Sequence, residues 1–255
     1  SKNMKAIICL IHGLGEHSGR YSDLGAVFME NDYALFAMDQ RGHGRSEGKR
    51  GHAQSYQVWL DDIKAFLAVV RDRYPQKDII LYGHSLGGNQ VLNYILREEA
   101  DIAGAIVTSP LLRLSVKVPI WKLVLAKIVN VVFPSFVLRT DLKSKDLSHL
   151  KEIQVAYEED KLVHDRLSAR AFLSFCEAGL WAISNANRLK VPLLLMHGSE
   201  DKITSCEASG EFADKAGDIC SFKVWDVYFH ELHNDEGNEA VMQYLLSWLA
   251  QHTNT

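Results

Sequence analysis

Residues 79–88 read Ile-Ile-Leu-Tyr-Gly-His-Ser-Leu-Gly-Gly, and a helical pattern follows over Asn89–Arg97. An apolar run that turns through G-x-S-x-G into a helix sets one serine, Ser85, on a sharp strand-to-helix turn. The residues two away on either side must be small for the chain to turn, and Gly83 and Gly87 are. Three fixed residues of this kind recur by chance in about one chain in ten of this length. The weight therefore rests on the strand–turn–helix context rather than on the string. A helix that begins at the serine points its free N–H groups at the serine hydroxyl.

The rest of the chain supplies the sheet that such a turn needs. Short apolar runs at Ala6–Ile11, Ala34–Met38, Ile79–Tyr82, Ala103–Thr108, Leu193–Met196 and Phe222–Val227 alternate with helical patterns. This predicts a parallel sheet with crossover helices. Several runs are rich in Ile, Leu and Val, as strands buried on both faces are. The clearest helix carries Tyr56, Trp59, Leu60, Ile63, Phe66, Leu67, Val70 and Tyr74 at helical spacing and is closed by Pro75. A last helix, from about Asn238, sets Val241, Tyr244, Leu245, Trp248 and Leu249 on one face. Both stripes are expected to face the core.

The alternation stops between Leu111 and Asn187, where no strand pattern appears. An insertion between two strands of one sheet reads as a cap. Residues 1–110 and 188–255 are expected to form the core and 111–187 a helical cap. The cap holds an apolar, helix-like stretch, Trp121–Phe133, and charged segments around Lys143–Glu159.

Composition narrows the function classes. A net charge of −4 and a pI near 6.3 give no electrostatic case for nucleic acid. Cys9, Cys176, Cys206 and Cys220 lack CxxC spacing, which argues against zinc and against a disulfide framework. Free thiols suit a reducing compartment. With no basic-then-apolar leader and no long uncharged apolar stretch, the chain is expected to be soluble and cytoplasmic.

A nucleophilic serine needs a base, and the base needs an acid to orient it. In a fold with this turn the chain order is Ser, then Asp or Glu, then His. The run Ala103–Thr108 leads into Ser109-Pro110, with no carboxylate until Asp141. Leu193–Met196 leads into His197-Gly198-Ser199-Glu200-Asp201, a short turn with two carboxylates, of which Asp201 is preferred and Glu200 is the alternative. His230 and His233 both lie in the loop after the last strand, where the base belongs, whereas His252 falls in the tail beyond the last helix. Two backbone N–H groups should form an oxyanion hole, one from Leu86 and one from Leu14 in the Gly-rich loop after the first strand. Rival motifs fail on spacing. Gly13, Gly15 and Gly19, like Gly42, Gly44 and Gly48, place the third glycine one position late for a dinucleotide loop. His230 and His233 are three apart, where the zinc H-E-x-x-H motif needs four. His43 and His52, on a Gly- and Arg-rich loop, are read as structural.

HGLGEHSGRY (12–21), DQRGHGRSEG (39–48), GHSLGG (83–88), HGSEDKI (197–203) and FHELHND (229–235) together resemble the monoacylglycerol lipase and lysophospholipase family of α/β-hydrolases. The resemblance spans nearly the whole chain and is weakest in the cap; serine aminopeptidases and general carboxylesterases share several of these strings. It implies an α/β-hydrolase fold, with helices on both faces of a mostly parallel sheet and a helical cap. It implies Ser85, Asp201 and His230 as the triad, and no metal or cofactor. It also implies a head-group pocket formed by Glu16, Arg20 and His233, with Tyr157 of the cap. Two departures stand out. Family members carry Asp-Pro-Leu where this chain has Asp160-Lys161-Leu162, and they carry a strand pair before the first motif, where only eleven residues precede His12. A sheet of about six strands is therefore expected.

The combined expectation is a serine hydrolase that cleaves a single-chain acyl ester through an acyl-enzyme. A carboxylesterase, an aminopeptidase-like amide hydrolase and an acyltransferase are the alternatives. The expected partners are a small acyl-ester or lipid substrate and, through the apolar cap stretch, a lipid surface touched transiently.

Overall fold

Buried on both faces, a parallel strand must be apolar at every position, and the first strand of this chain is. In the computed structural model, which describes residues 4–140 and 142–253, all six residues of β1 (Ala6–Ile11) are buried. Ile7, Cys9 and Ile11 join one apolar layer; Ala6, Ile8 and Leu10 join the other. Strands β2 (Tyr33–Ala37), β3 (Asp78–His84), β4 (Gly104–Thr108), β7 (Leu193–Gly198) and β8 (Cys220–Trp225) complete a parallel sheet in the order β2-β1-β3-β4-β7-β8. The layer on one face draws on α2 (Tyr56–Arg73), α3 (Leu86–Arg97) and α7 (Cys206–Ala216), and the layer on the other on α1 (Ser22–Glu30) and α8 (Asn238–His252). The six-stranded sheet with helices on both faces is the one expected.

Chain order makes β1 a turning point. The chain leaves β1 outward to β2, then returns to β3 on the other side and continues away. Loops at the carboxyl ends of β1 and β3 therefore diverge to opposite faces, and the crevice between them is where ligands bind in such sheets. Ile11 lies opposite Gly83 in the register, so the loop after β1 and the turn after β3 start side by side.

The insertion between β4 and β7 contains α4 (Ile120–Val132), β5 (Val137–Arg139), α5 (Lys151–Glu159), β6 (Arg166–Ser168) and α6 (Ala169–Ser184). The antiparallel pair β5–β6 corrects the strand-free reading of this stretch; three residues per strand are too few to show a period of two. α6 lies on the core: Asn89 and Asn93 of α3 donate to the carbonyls of Phe175 and Ala178. No residue of α4 is buried. Asp141 and Ser1–Asn3 lie outside the described residues.

Element ends differ in small ways. β8 occupies Cys220–Trp225 rather than Phe222–Val227, and the chain turns at Val227 with φ 61°, a costly angle for a β-branched residue. His252 is the last residue of α8, not part of a tail. Its ring stacks on Trp248 at 4.1 Å and its Nδ1 lies 2.8 Å from the Trp248 carbonyl.

Candidate active site

Ser85 sits between β3 and α3 with φ 54° and ψ −114°, a backbone that costs an L-residue about 1–3 kcal/mol. The surroundings over-determine it. Ser85 N–H donates to Thr108 O, while its carbonyl accepts from Asn89 and Leu111 N–H. A Cβ on Gly83 would lie 2.6 Å from Gly87 O, and one on Gly87 would collide with the Ile11 carbonyl. The glycine requirement read from the motif thus has two distinct sources, the turn itself and the adjacent end of β1.

His230 Nε2 lies 2.9 Å from Ser85 Oγ, and His230 Nδ1 lies 2.7 Å from Asp201 Oδ2. Asp201 is further held by the Ile203 and Thr204 N–H groups, the Thr204 hydroxyl and His197. Burial works against its charge, but these donors and His230 outweigh it and hold the carboxyl well below the usual range. For His230, burial favours the neutral ring, yet Asp201 foremost, then Glu231 and Glu16, raise its pKa. Glu200, the alternative acid, is exposed. Of the two loop histidines, His230 meets Ser85, while His233 stacks on Tyr21 at 4.9 Å and finds no protein partner for either ring nitrogen among the described residues.

The first-strand loop closes over the serine. A Cβ on Gly13 would lie 3.2 Å from Ser85 Cβ. Gly13 N–H donates to Glu16 Oε1 at 2.6 Å, which shapes the turn carrying Leu14. Among the described residues, no backbone partner is recorded for the Leu14 or Leu86 N–H. Gly15 has φ 77°, and a side chain there would strike the His164 carbonyl of the insertion. His164 N–H in turn donates to Gly15 O at 2.8 Å.

Three of the four residues expected in the head-group pocket form a connected cluster. Glu16, buried, accepts from the Tyr21 hydroxyl at 2.8 Å and from Arg20 at 2.8 Å. Arg20 also forks onto Glu231 at 2.7 and 2.9 Å, and Tyr157 covers its guanidinium at 4.9 Å. Burial disfavours the Arg20 charge, and Glu231 and Glu16 overcome that. Tyr157 also lines a hollow of about 650 Å³ in the insertion, with Lys143, Lys151 and Asp160. Ser85 does not line that hollow, so the chemistry is located by the serine–histidine–aspartate geometry instead.

Sequence reasoning missed two residues here. Glu231 stands in the FHELHND string and in the failed zinc spacing, and neither gives it a role. Asp235, buried, accepts from the N–H groups of Phe229 and His149 at 2.7 Å each and from the Ser148 hydroxyl at 3.2 Å, pinning the His230 loop to the insertion. Its signals in the sequence are its place at the end of the FHELHND string and the run Asn-Asp-Glu-Gly after the histidines. His43 is held locally by the Arg41 carbonyl at 3.0 Å, whereas His52 meets the Ser168 hydroxyl, 116 residues on, at 2.9 Å. Among the described residues, no group of three or more His, Cys, Asp or Glu is arranged to hold a metal ion.

Known proteins are similar to this chain in sequence and fold. A human monoglyceride lipase is 32% identical over 264 residues, covering 98% of this chain and 84% of its own length. An abhydrolase domain-containing protein of Dictyostelium discoideum is 35% identical over 249 residues; the chain spans 26% of that protein's length. The crystal structure of a Paleococcus ferrophilus monoacylglycerol lipase superposes with a TM-score of 0.90 at 32% identity, covering 98% of this chain and 95% of that one. The model of the serine aminopeptidase S33 family matches residues 2–237. With an α/β-hydrolase fold, and a serine, a histidine and an aspartate in line at its crevice, the chain belongs to the serine aminopeptidase S33 family of hydrolases and is a carboxylic-ester hydrolase.

Proposed function

We propose that the protein hydrolyses single-chain acyl esters of the monoacylglycerol or lysophospholipid type, with Ser85 as nucleophile, His230 as base and Asp201 as orienting acid. The observation that carries this reading is the unbroken line from Ser85 Oγ to His230 Nε2 at 2.9 Å and from His230 Nδ1 to Asp201 Oδ2 at 2.7 Å. His230 takes the Ser85 proton as Oγ attacks the ester carbonyl. The oxyanion forms against the Leu14 and Leu86 N–H groups, and His230 returns the proton to the departing alcohol. Water, deprotonated by His230, then attacks the acyl-enzyme. The acid leaves and Ser85 recovers its proton.

The substrate class is supported by the names of the similar proteins, monoglyceride lipases from several organisms and a phospholipase from Bacillus subtilis. The family name favours a second reading, an aminopeptidase. A peptidase needs a free carboxylate to bind the substrate's amino terminus, and both nearby candidates, Glu16 and Glu231, are already paired with Arg20. This favours the ester.

We read residues 111–187 as a cap that carries the lipid contact. Trp121, Val124, Leu125, Ile128, Val131 and Val132 of α4 are all more than half exposed and fall on one side, flanked by Lys122 and Lys127. An apolar stripe with lysines at its border suits the boundary of a lipid aggregate. Among the described residues, no helix is long and apolar enough to cross a membrane.

A fluorophosphonate probe tests the central assignment. Wild type is expected to label at one serine and Ser85→Ala not at all, with esterase turnover falling by several orders of magnitude. Labelling of the Ala variant would overturn the assignment. A panel of monoacylglycerols, lysophospholipids, p-nitrophenyl esters and aminoacyl amides, compared by kcat/KM, tests the substrate class.

A further inference from the structure

Two of the loops around Ser85 come from opposite ends of the chain. The loop after β1 supplies the Leu14 N–H, and the loop after β8 supplies His230. Arg20 lies between them and binds both. Its Nη1 donates to Glu16 Oε2 at 2.8 Å and to Glu231 Oε1 at 2.7 Å, and its Nη2 donates to Glu231 Oε2 at 2.9 Å. Glu16 passes the connection on to Gly13 N–H, one residue before Leu14 and in contact range of Ser85. Glu231 is the immediate neighbour of His230, and its own N–H is fixed to the Leu147 carbonyl at 2.8 Å.

Such a cluster needs a reason. Two carboxylates and one guanidinium with almost no solvent are an expensive way to stabilise a fold, since well-packed apolar residues usually do as well or better. Three of the five Arg20 N–H donors are committed within the protein, and Tyr157 covers the guanidinium. We propose that Glu231 is a positioning residue: through Arg20 and Glu16 it ties the histidine loop to the oxyanion loop, holding the base and the oxyanion donor in register across Ser85. The inference rests on the reading of Ser85, Asp201 and His230 as the triad.

The fixed charge has a second effect. His230 is faced by Asp201, Thr204 and Ser85, by Glu231 and Glu16, and by the rings of His84 and His233, with Arg20 acting on His84 and paired with Glu231. Burial keeps His84 and His233 neutral, so among these groups the carboxylates raise the pKa of the base. Neutralising Glu231 removes one of them without touching Ser85 or Asp201.

Glu231→Gln and Glu231→Ala test the proposal on a short soluble ester such as p-nitrophenyl butyrate. Misplacement of catalytic groups by a fraction of an ångström predicts that kcat falls about 10- to 100-fold for Ala and less for Gln, with KM nearly unchanged. The acid limb of kcat/KM is expected to move to lower pH in both. A kcat within twofold of wild type, an unmoved acid limb, or a Gln variant as impaired as Ala would overturn it. If the Ala variant does not fold, the kcat and pH profile of the Gln variant decide alone. Failure of the underlying reading looks different: His230→Ala would then retain turnover, or the wild type would not label at Ser85, whatever the Glu231 variants do.

Discussion

His230 Nδ1 and His197 Nε2 converge on a single oxygen, Asp201 Oδ2, at 2.7 and 3.1 Å. With the Thr204 hydroxyl at 2.8 Å on that oxygen and two backbone N–H groups on the other, the carboxylate is surrounded by donors. For His197 to donate through Nε2, its Nδ1 must accept from the Ser209 hydroxyl, which lies 2.8 Å away. Asp201 therefore remains an anion beneath His230 throughout the working pH range.

That arrangement fixes the pH dependence. Burial alone would lower the His230 pKa, but Asp201 reverses the direction and holds it above the ordinary 6.5. Only the neutral ring can take the serine proton, so kcat/KM should decline on acidification with its midpoint above pH 6.5. Because the folded pKa is raised, the His230–Asp201 pair contributes to stability at low pH, and this contribution is lost as pH rises through the folded value. Activity should thus rise across the same window in which this contribution to stability falls. A pH–rate profile measured alongside urea melts checks both signs. An acid limb below 6.5 would contradict the raising of the His230 pKa by Asp201.

The two loop histidines should separate cleanly in kinetics. His230→Ala is expected to abolish kcat. His233→Ala should leave kcat for simple esters near wild type and raise KM for glycerol esters roughly fivefold, the worth of one neutral hydrogen bond. The ring nitrogens of His233 are buried without a protein partner among the described residues, so a polar head that reached them would supply the missing hydrogen bond. Steady-state kinetics on a monoacylglycerol and on a p-nitrophenyl ester decide it, and the reverse pattern would exchange the two roles.

The exposed side of α4 should matter only for aggregated substrate. Leu125 and Ile128 face outward at 51% and 56% exposure, whereas Val129 lies on the half-buried side. Leu125→Glu combined with Ile128→Glu is expected to lower activity on long-chain monoacylglycerols several-fold. Short soluble esters should be turned over at near wild-type rates, because a charge at the lipid boundary costs binding rather than chemistry. Equal loss on both substrates would mean that the helix supports the fold.

The parts of this structure that were legible in sequence are those where one local requirement decides the residue. β1, β3, β4 and β7 are buried on both faces and so appear as uninterrupted apolar runs. Ser85 is legible because its turn excludes a Cβ at two neighbouring positions. β8, at the sheet edge, is only partly buried, and its run gives its ends less clearly. α4 is apolar nearly all round, which leaves open which side meets water. Glu231 could not be read at all, since its meaning lies in Arg20, 211 residues earlier.

The positive φ of Ser85 means that the position best suited to catalysis is poorly suited to the fold. Glycine would adopt the same turn without strain. Ser85→Gly should therefore produce an inert protein that melts at a higher temperature than the active one, by up to a few degrees for about 1 kcal/mol. Selection for durability alone would discard the hydroxyl. Its presence marks a residue retained for the reaction at the expense of the molecule's own stability.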